Sequence, residues 1–268
     1  MSISSIERGF MSLRYFMTSF SIEFGDTASV AFETNGKGYL GYIVELPGAF
    51  IRGETEEEAL KKVPREVSSY LRWLDTKPME DYSVQVIQMH QSNLTVEDAD
   101  SEILLEADKG ALEEGKYKNL LDIVLHSGET FLRIYESAVF RDWVDESRIR
   151  KTFYGQNPKT IREIFEHVKR CQYYYLSRMR MEFETEEEDF RKIRPFCLQK
   201  LQDLYRQHNN LLIVAIDNEQ WTLKKVLRRF IWHERIHARA IMRILERQRR
   251  LGVIDGYEDP LFFRNTYI

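Results

Sequence analysis

The chain has 268 residues, room for two domains of ordinary size that each bury a core. Its formal net charge is only −4, so the overall balance gives no electrostatic reason to expect nucleic acid or an anionic membrane as a partner. Two cysteines, Cys171 and Cys197, make no disulfide framework. Residues 1–10 carry Glu7 and Arg8 where a secretory signal needs an unbroken apolar run, so a cytoplasmic protein with free thiols is expected. The longest aliphatic run, 211–216, is far short of the roughly 20 apolar residues of a membrane span.

From residue 17 to 89 the pattern is short and β-rich. The runs 28–34, 39–46 and 49–52 are separated by Asn35-Gly36-Lys37-Gly38 and Pro47-Gly48, which predicts consecutive antiparallel strands. A helix follows, opened by Thr55 with Glu58 three residues on and carrying Ala59, Leu60, Val63, Val67, Tyr70, Leu71 and Leu74 at helical spacing. Pro64 lies inside it, where the lost N–H and the ring clash cost about 3 kcal/mol unless the helix bends or restarts. After Thr76-Lys77-Pro78, the alternation of Tyr82, Val84 and Val86 with Ser83 and Gln85 predicts another strand. The stretch 92–112 reads as a connector, with Leu104-Leu105 as a candidate short strand.

Beyond residue 113 the period is helical. Four segments, about 113–140, 158–183, 186–216 and 222–250, predict a four-helix bundle. Asn157-Pro158 suits the N-cap and first turn of the second segment, Pro195 is expected to break or restart the third, and the acidic stretch 182–189 suits a solvated connection. The expected division is an α+β domain over 1–92, a connector over 93–112 and an all-α bundle with a tail over 113–268.

The last segment carries Leu223, Val226, Leu227, Phe230, His233, His237, Ile241, Ile244 and Leu245 on one stripe. Arg228, Arg235, Arg239, Arg243 and Arg250 fall largely elsewhere and read as a solvated face paired with acidic segments. On the second segment His167 shares the apolar side of Ile161, Ile164, Phe165, Val168 and Cys171. One inward histidine is usually a hydrogen-bonded core residue, but three on converging stripes point to a divalent metal site with zinc or nickel as the expected ion. An ion so held, with an open position, can acidify a bound water or hold a thiolate, which is the chemistry of hydrolysis or nucleophilic transfer.

These residues also carry a resemblance. Thr160-Ile-Arg-Glu-Ile-Phe-Glu-His167 and Trp221-Thr-Leu-Lys-Lys-Val-Leu-Arg-Arg-Phe-Ile-Trp-His233-Glu-Arg-Ile-His237 resemble the DinB-like (YfiT-like) metal-binding bundle family over roughly residues 113–251. The resemblance implies a four-helix bundle in which His167, His233 and His237 ligate one divalent ion, in a thiol-dependent transferase or a hydrolase. In the N-terminal half, Gly41-Tyr-Ile-Val-Glu-Leu-Pro-Gly-Ala-Phe-Ile-Arg-Gly-Glu-Thr-Glu-Glu-Glu-Ala-Leu60 is similar to the HicB-like antitoxin domain. That likeness implies a small sheet with one or two helices, and a scaffold or association role.

The string His233-Glu234-Arg235-Ile236-His237 also fits the H-E-x-x-H pattern of zinc proteases, with Glu234 as general base. The chain has Ala240 and Arg243 where a metzincin needs further glycine and histidine, which weakens that match. Glu234 stands as the candidate catalytic residue, with an ion pair to an arginine as the competing role. Cys171 reads as a small buried hydrophobe, with a fourth ligand or a redox-sensitive thiol as alternatives. Tyr173, Tyr174 and Tyr175 either line a pocket or fill the core, while His90, His126 and His208 show no partner in the sequence.

The reading that follows is a metal-dependent transferase or hydrolase, acting on an unidentified small-molecule substrate, with no membrane or nucleic-acid partner and with homo-oligomerisation expected by analogy alone. Its alternative is a non-catalytic binding or regulatory protein, related to antitoxin-like modules, whose metal site is structural or vestigial.

Overall fold

The structure, a computed structural model, describes residues 20–264 except 23, 78, 80, 153–154 and 184–186. The N-terminal segment 1–10, read above for a secretory signal, lies outside the described residues, as do Pro78 and the middle of the acidic stretch 182–189. The fold is α+β: a small N-terminal sheet with helices, followed by a helical region.

Strands β1 (Thr27–Thr34), β2 (Tyr39–Ile43), β3 (Phe50–Gly53) and β4 (Ser83–Gln91) form one sheet in the order β3-β2-β1-β4. The first three are antiparallel neighbours, but β4 runs parallel to β1, so the sheet is mixed and not purely antiparallel. The reason is the crossover. Helices α1 (Glu56–Leu60) and α2 (Val63–Trp73) return the chain across the sheet, which lets β4 enter beside β1 in the same direction. The β1–β4 register shifts after Val30, where Ile87 is the extra residue and stands half-exposed. Period-two alternation puts Ala28, Val30, Phe32, Ile43 and Ile51 in the main core and Ala31, Leu40, Tyr42 and Phe50 in a second one on the other face.

Thr55 Oγ1 accepts the Glu58 N–H at 3.1 Å and starts α1. The expected bend at Pro64 is a restart: α1 ends at Leu60 and Pro64 falls in the first turn of α2, where its missing N–H costs nothing. The β2–β3 turn needs Gly48 for two reasons. Its φ is +84°, and a Cβ there would lie 2.5 Å from Ile231 Cγ2, so only glycine lets this turn pack against the last helix.

The helical region holds α3 (Glu114–Ser137), α4 (Ile161–Ser177), α5 (Phe190–His208) and α6 (Leu223–Arg250). Several boundaries differ from expectation. The cap of α4 is Thr160, not Asn157: Thr160 Oγ1 accepts the Glu163 N–H at 3.0 Å and Glu163 reaches back to the Thr160 N–H. Helix α5 runs through Pro195, whose lost hydrogen bond is one near the start of the helix, to the carbonyl of exposed Arg191. Asn209, at φ +54°, ends α5 well before residue 216. Residues 214–216, expected to be helical, instead form β7 (Val214–Ile216) of a hairpin with β8 (Glu219–Trp221). A shorter hairpin, β5 (Lys151–Thr152) with β6 (Gly155–Gln156), precedes α4. Asp217 and Asn218, both at positive φ, make the two-residue turn of β7–β8, a conformation that asparagine and aspartate tolerate. Leu104-Leu105 forms no strand; Leu105 is buried in the second core and a 3₁₀ turn, Glu106–Asp108, follows it.

Helix α6 is the centre of the molecule, and its arginines do not form an outer solvated face. Arg228, Arg229, Arg235 and Arg239 are all buried; Arg243 and Arg250 alone of the predicted set are exposed. Asp108 takes Arg228, at 2.8 Å from Nε, and Glu66 of α2 takes both Arg235 and Arg239. Glu66 also accepts the Phe50 N–H, so one fully buried carboxylate joins β3, α2 and α6. Trp232 of α6 packs in the second core with Tyr42, Phe50, Val96, Ile103 and Leu105. The stretch 93–112 is thus packed between sheet and helices, not a free connector. Among the described residues, no helix is long and apolar enough to cross a membrane.

Candidate metal centre

His233 and His237 are one turn apart on α6 and so share a face; His167 faces them from α4, two turns beyond the Thr160 cap that sets that helix's register. His167 Nε2 and His233 Nε2 are 3.2 Å apart, and one nitrogen from each of the three rings lies within 4.8 Å of the others. Two imidazole nitrogens bound to one tetrahedral ion, at bonds of 2.0–2.1 Å, would be about 3.3–3.4 Å apart. The His167–His233 pair is therefore spaced as two ligands of a common ion are, and the donor set would suit a borderline metal such as zinc.

Electrostatics favour the same form of the rings. Burial holds His233 well below the ordinary histidine range, helped by His237, His167 and Arg229. Burial, then His167 and Arg243, pushes His237 down to about 3. Burial and Arg170 lower His167. All three are neutral at pH 7, the protonation state that offers a lone pair to a cation.

The imidazoles lie on a cavity of about 710 Å³, large enough for a small organic molecule. Cys171, Tyr174, Tyr175, Trp221 and Trp232 supply thiol and aromatic wall; Arg52 of β3 and residues 98–101 supply wall from the N-terminal half. Cys171 Sγ is 3.7 Å from His167 Nε2. Burial pushes its thiol up to about 11, so it is neutral at pH 7 and behaves as a small apolar group beside the rings.

Glu234 is not brought to the histidines. One position along the helix from His233, it points to α5, where Arg194 holds its carboxylate in a buried ion pair. Arg194 also donates to Gln172 Oε1 at 2.8 Å and to the Val124 carbonyl at 2.9 Å, so the pair ties α3, α4, α5 and α6 together. Glu234 does not line the cavity. Its alternative role, an ion pair with an arginine on a neighbouring helix, is the one the geometry fits.

Of the remaining candidates, Tyr174 and Tyr175 line the cavity, while the Tyr173 hydroxyl meets the Glu187 backbone. His126 Nε2 lies 3.1 Å from the Trp73 carbonyl, its ring against Trp73, and His208 is exposed at the end of α5. Sequence reasoning missed the wall made by Arg52 and residues 98–101. No signal for it exists in a one-dimensional pattern, because those residues are far in sequence from the histidines. Glu219 and Trp221 sat within a segment whose Asp217-Asn218 turn was readable. Compared with protein-family models, curated proteins and solved structures, the chain matches none.

Proposed function

We propose that this protein is a metal-dependent enzyme of transferase or hydrolase type whose divalent ion, zinc or nickel, is held by His167, His233 and His237. The observation that carries the reading is the meeting of three neutral imidazoles from two helices on the wall of a cavity large enough for a substrate. The resemblance of the segments around His167 and His233–His237 to the DinB-like pattern, which would make the helical region a four-helix bundle, supports this reading. Bound there, a divalent ion supplies Lewis acidity.

The chain's own residues do the rest. The aromatic wall of Trp221, Trp232 and Tyr175 offers an apolar surface that suits an apolar or thiol-bearing substrate portion. Arg52, Arg150 and Arg243 at the same cavity give it cationic groups that suit an anionic substrate end. Asp98, Asp100 and Glu219, not Glu234, are the cavity's carboxylates; Asp98 pairs with Arg150 and Glu219 with Lys225 and Arg229, so Asp100 is the candidate proton acceptor. Burial raises the Asp100 carboxyl, which brings it toward the range useful for proton transfer.

The test is elemental analysis of untagged protein. The triad should contribute one equivalent of divalent metal, and a His233→Ala/His237→Ala variant should lose that equivalent while keeping its helical circular dichroism. Unchanged occupancy in that variant would end the assignment. A second reading, a non-catalytic binding protein with a structural ion, draws on the capture of Glu234 by Arg194, which removes the carboxylate next to His233. Metal-loaded protein that turns over no thiol, amide or ester substrate, yet binds small anions in the cavity, would favour it.

A further inference from the structure

A second group of metal-binding side chains lies apart from the histidine triad, on the sheet face that carries the second core. Glu33 of β1 and His90 of β4 are direct partners in the parallel register, so their side chains leave the sheet on the same face. Glu102, from the stretch that follows β4, reaches the same point. One ligand atom from each of Glu33, His90 and Glu102 lies within 4.8 Å of the others, and His90 Nε2 is 3.6 Å from Glu102 Oε1.

Hydrogen bonding leaves this corner incomplete. Glu33 is fully buried; its Oε1 accepts the Glu102 N–H at 2.8 Å, but Oε2 is buried with no hydrogen-bond partner. His90 Nε2 is also buried without one. Two cations of α6 come near and hydrogen-bond elsewhere, with Arg229 within electrostatic reach of Glu33. Lys225 Nζ donates to the Glu102 and Gln220 carbonyls and pairs with Glu219, while Arg229 meets the Ser101 carbonyl and Glu219. An unmatched carboxylate oxygen in a closed environment is costly, and a second carboxylate close by adds repulsion. A cation at the common point would remove both penalties.

We propose that Glu33, His90 and Glu102 form a second divalent-cation site, independent of the histidine triad. The ligand chemistry is one imidazole and two carboxylates, whose formal charge of −2 balances a divalent ion; mixed nitrogen and oxygen donors suit zinc or manganese better than magnesium or calcium. The first sphere is already positioned. The Lys225 bond holds the Glu102 backbone, Ser92 Oγ donates to Glu102 Oε1 at 2.7 Å, and the strand pairing fixes Glu33 against His90. The half-exposed side chains of His90 and Glu102 leave a path to solvent. Glu102 immediately follows Ser101, and residues 98–101 wall the large cavity, so an ion here stiffens that wall from behind.

The experiment is zinc stoichiometry on chelator-stripped, full-length protein, read by elemental analysis after dialysis, with zinc as the only added ligand. A His167→Ala/His233→Ala/His237→Ala variant should keep one equivalent, and adding His90→Ala should weaken that binding at least tenfold. In the chain with its triad intact, His90→Ala/Glu102→Gln should lower the zinc content by one equivalent. These two side chains are half-exposed, so the variant keeps its core. Zinc should also raise the melting temperature of the triad variant, and that shift should vanish with His90→Ala. The site is refuted if His90→Ala/Glu102→Gln leaves stoichiometry and affinity unchanged, or if the folded triad variant binds no zinc. Failure of the triad assignment reads differently: its variant would then match the unmodified chain in zinc content.

Discussion

On the side of α6 that meets β3 and α2, Arg235 and Arg239 share the buried carboxylate of Glu66; on the side that meets α4, His233 and His237 face His167 across an open cavity. Both sides bury polar groups on one helix within a single turn of each other. Along the first, opposite charges pair inside the protein, two guanidiniums to one carboxylate, and Arg235 and Glu66 are fully buried. Along the second, the groups are neutral, their nitrogens converge, and space remains beside them. Buried paired charge serves the fold, whereas converging neutral donors beside a cavity serve a ligand.

Substitutions at the two sides should therefore fail in different ways. The largest effect is expected from Glu66→Ala, which leaves two buried guanidiniums without their carboxylate and should cost about 3–5 kcal/mol, measured by urea denaturation. Metal content should not change in whatever fraction stays folded. Glu234→Gln should also destabilise, by about 1–3 kcal/mol through the loss of charge opposite Arg194, and should leave metal bound. Loss of the metal with stability intact would show that Glu234 belongs with the triad after all.

At the triad, His233→Ala/His237→Ala should abolish the stabilisation given by metal bound at that site, about 2.7 kcal/mol when free metal is a hundredfold above its dissociation constant there. The apo protein also has a pH signature. His237 is depressed to about 3 from an unfolded value of 6.5, and His233 and His167 are lowered in the same direction. As pH falls below about 6.5, the unfolded chain takes up protons that the folded one refuses, so stability declines toward pH 3; each ring contributes at most about 1.4 kcal/mol per pH unit. The alanine variant should show a flatter acid limb in melts taken between pH 7 and 4. The smallest effect, Lys61→Ala at the exposed Glu57 pair, should leave stability unresolved from the parent and so calibrate what a surface charge is worth beside Glu66.

The triad was legible because an i, i+4 pair on an apolar stripe states which way its side chains point, and because His167 kept the same phase as Ile164 and Cys171. The strands were legible from Asn35-Gly36 and Pro47-Gly48, which break the alternating runs. The parallel entry of β4 was not, since its own alternation is the same in either direction. Nor was the burial of the α6 arginines. A helical stripe assigns charge to solvent, and the carboxylates that overturn this, Asp108 and Glu66, are 120 and 169 residues away in the chain. Glu234 misled for the same reason: Arg194, 40 residues distant, claims it. Three-dimensional pairing of opposite charges leaves no periodic trace.

That 169-residue separation also orders events during synthesis. The strands leave the ribosome early, but one of their faces is completed by Trp232 and the carboxylate of Glu66 is neutralised only by Arg235 and Arg239. At about 5–20 residues per second, the nascent sheet waits roughly 10–30 s with Leu40, Tyr42 and Phe50 uncovered. Chaperone occupancy in the cell should therefore peak on chains stalled before residue 223 and fall once α6 has emerged.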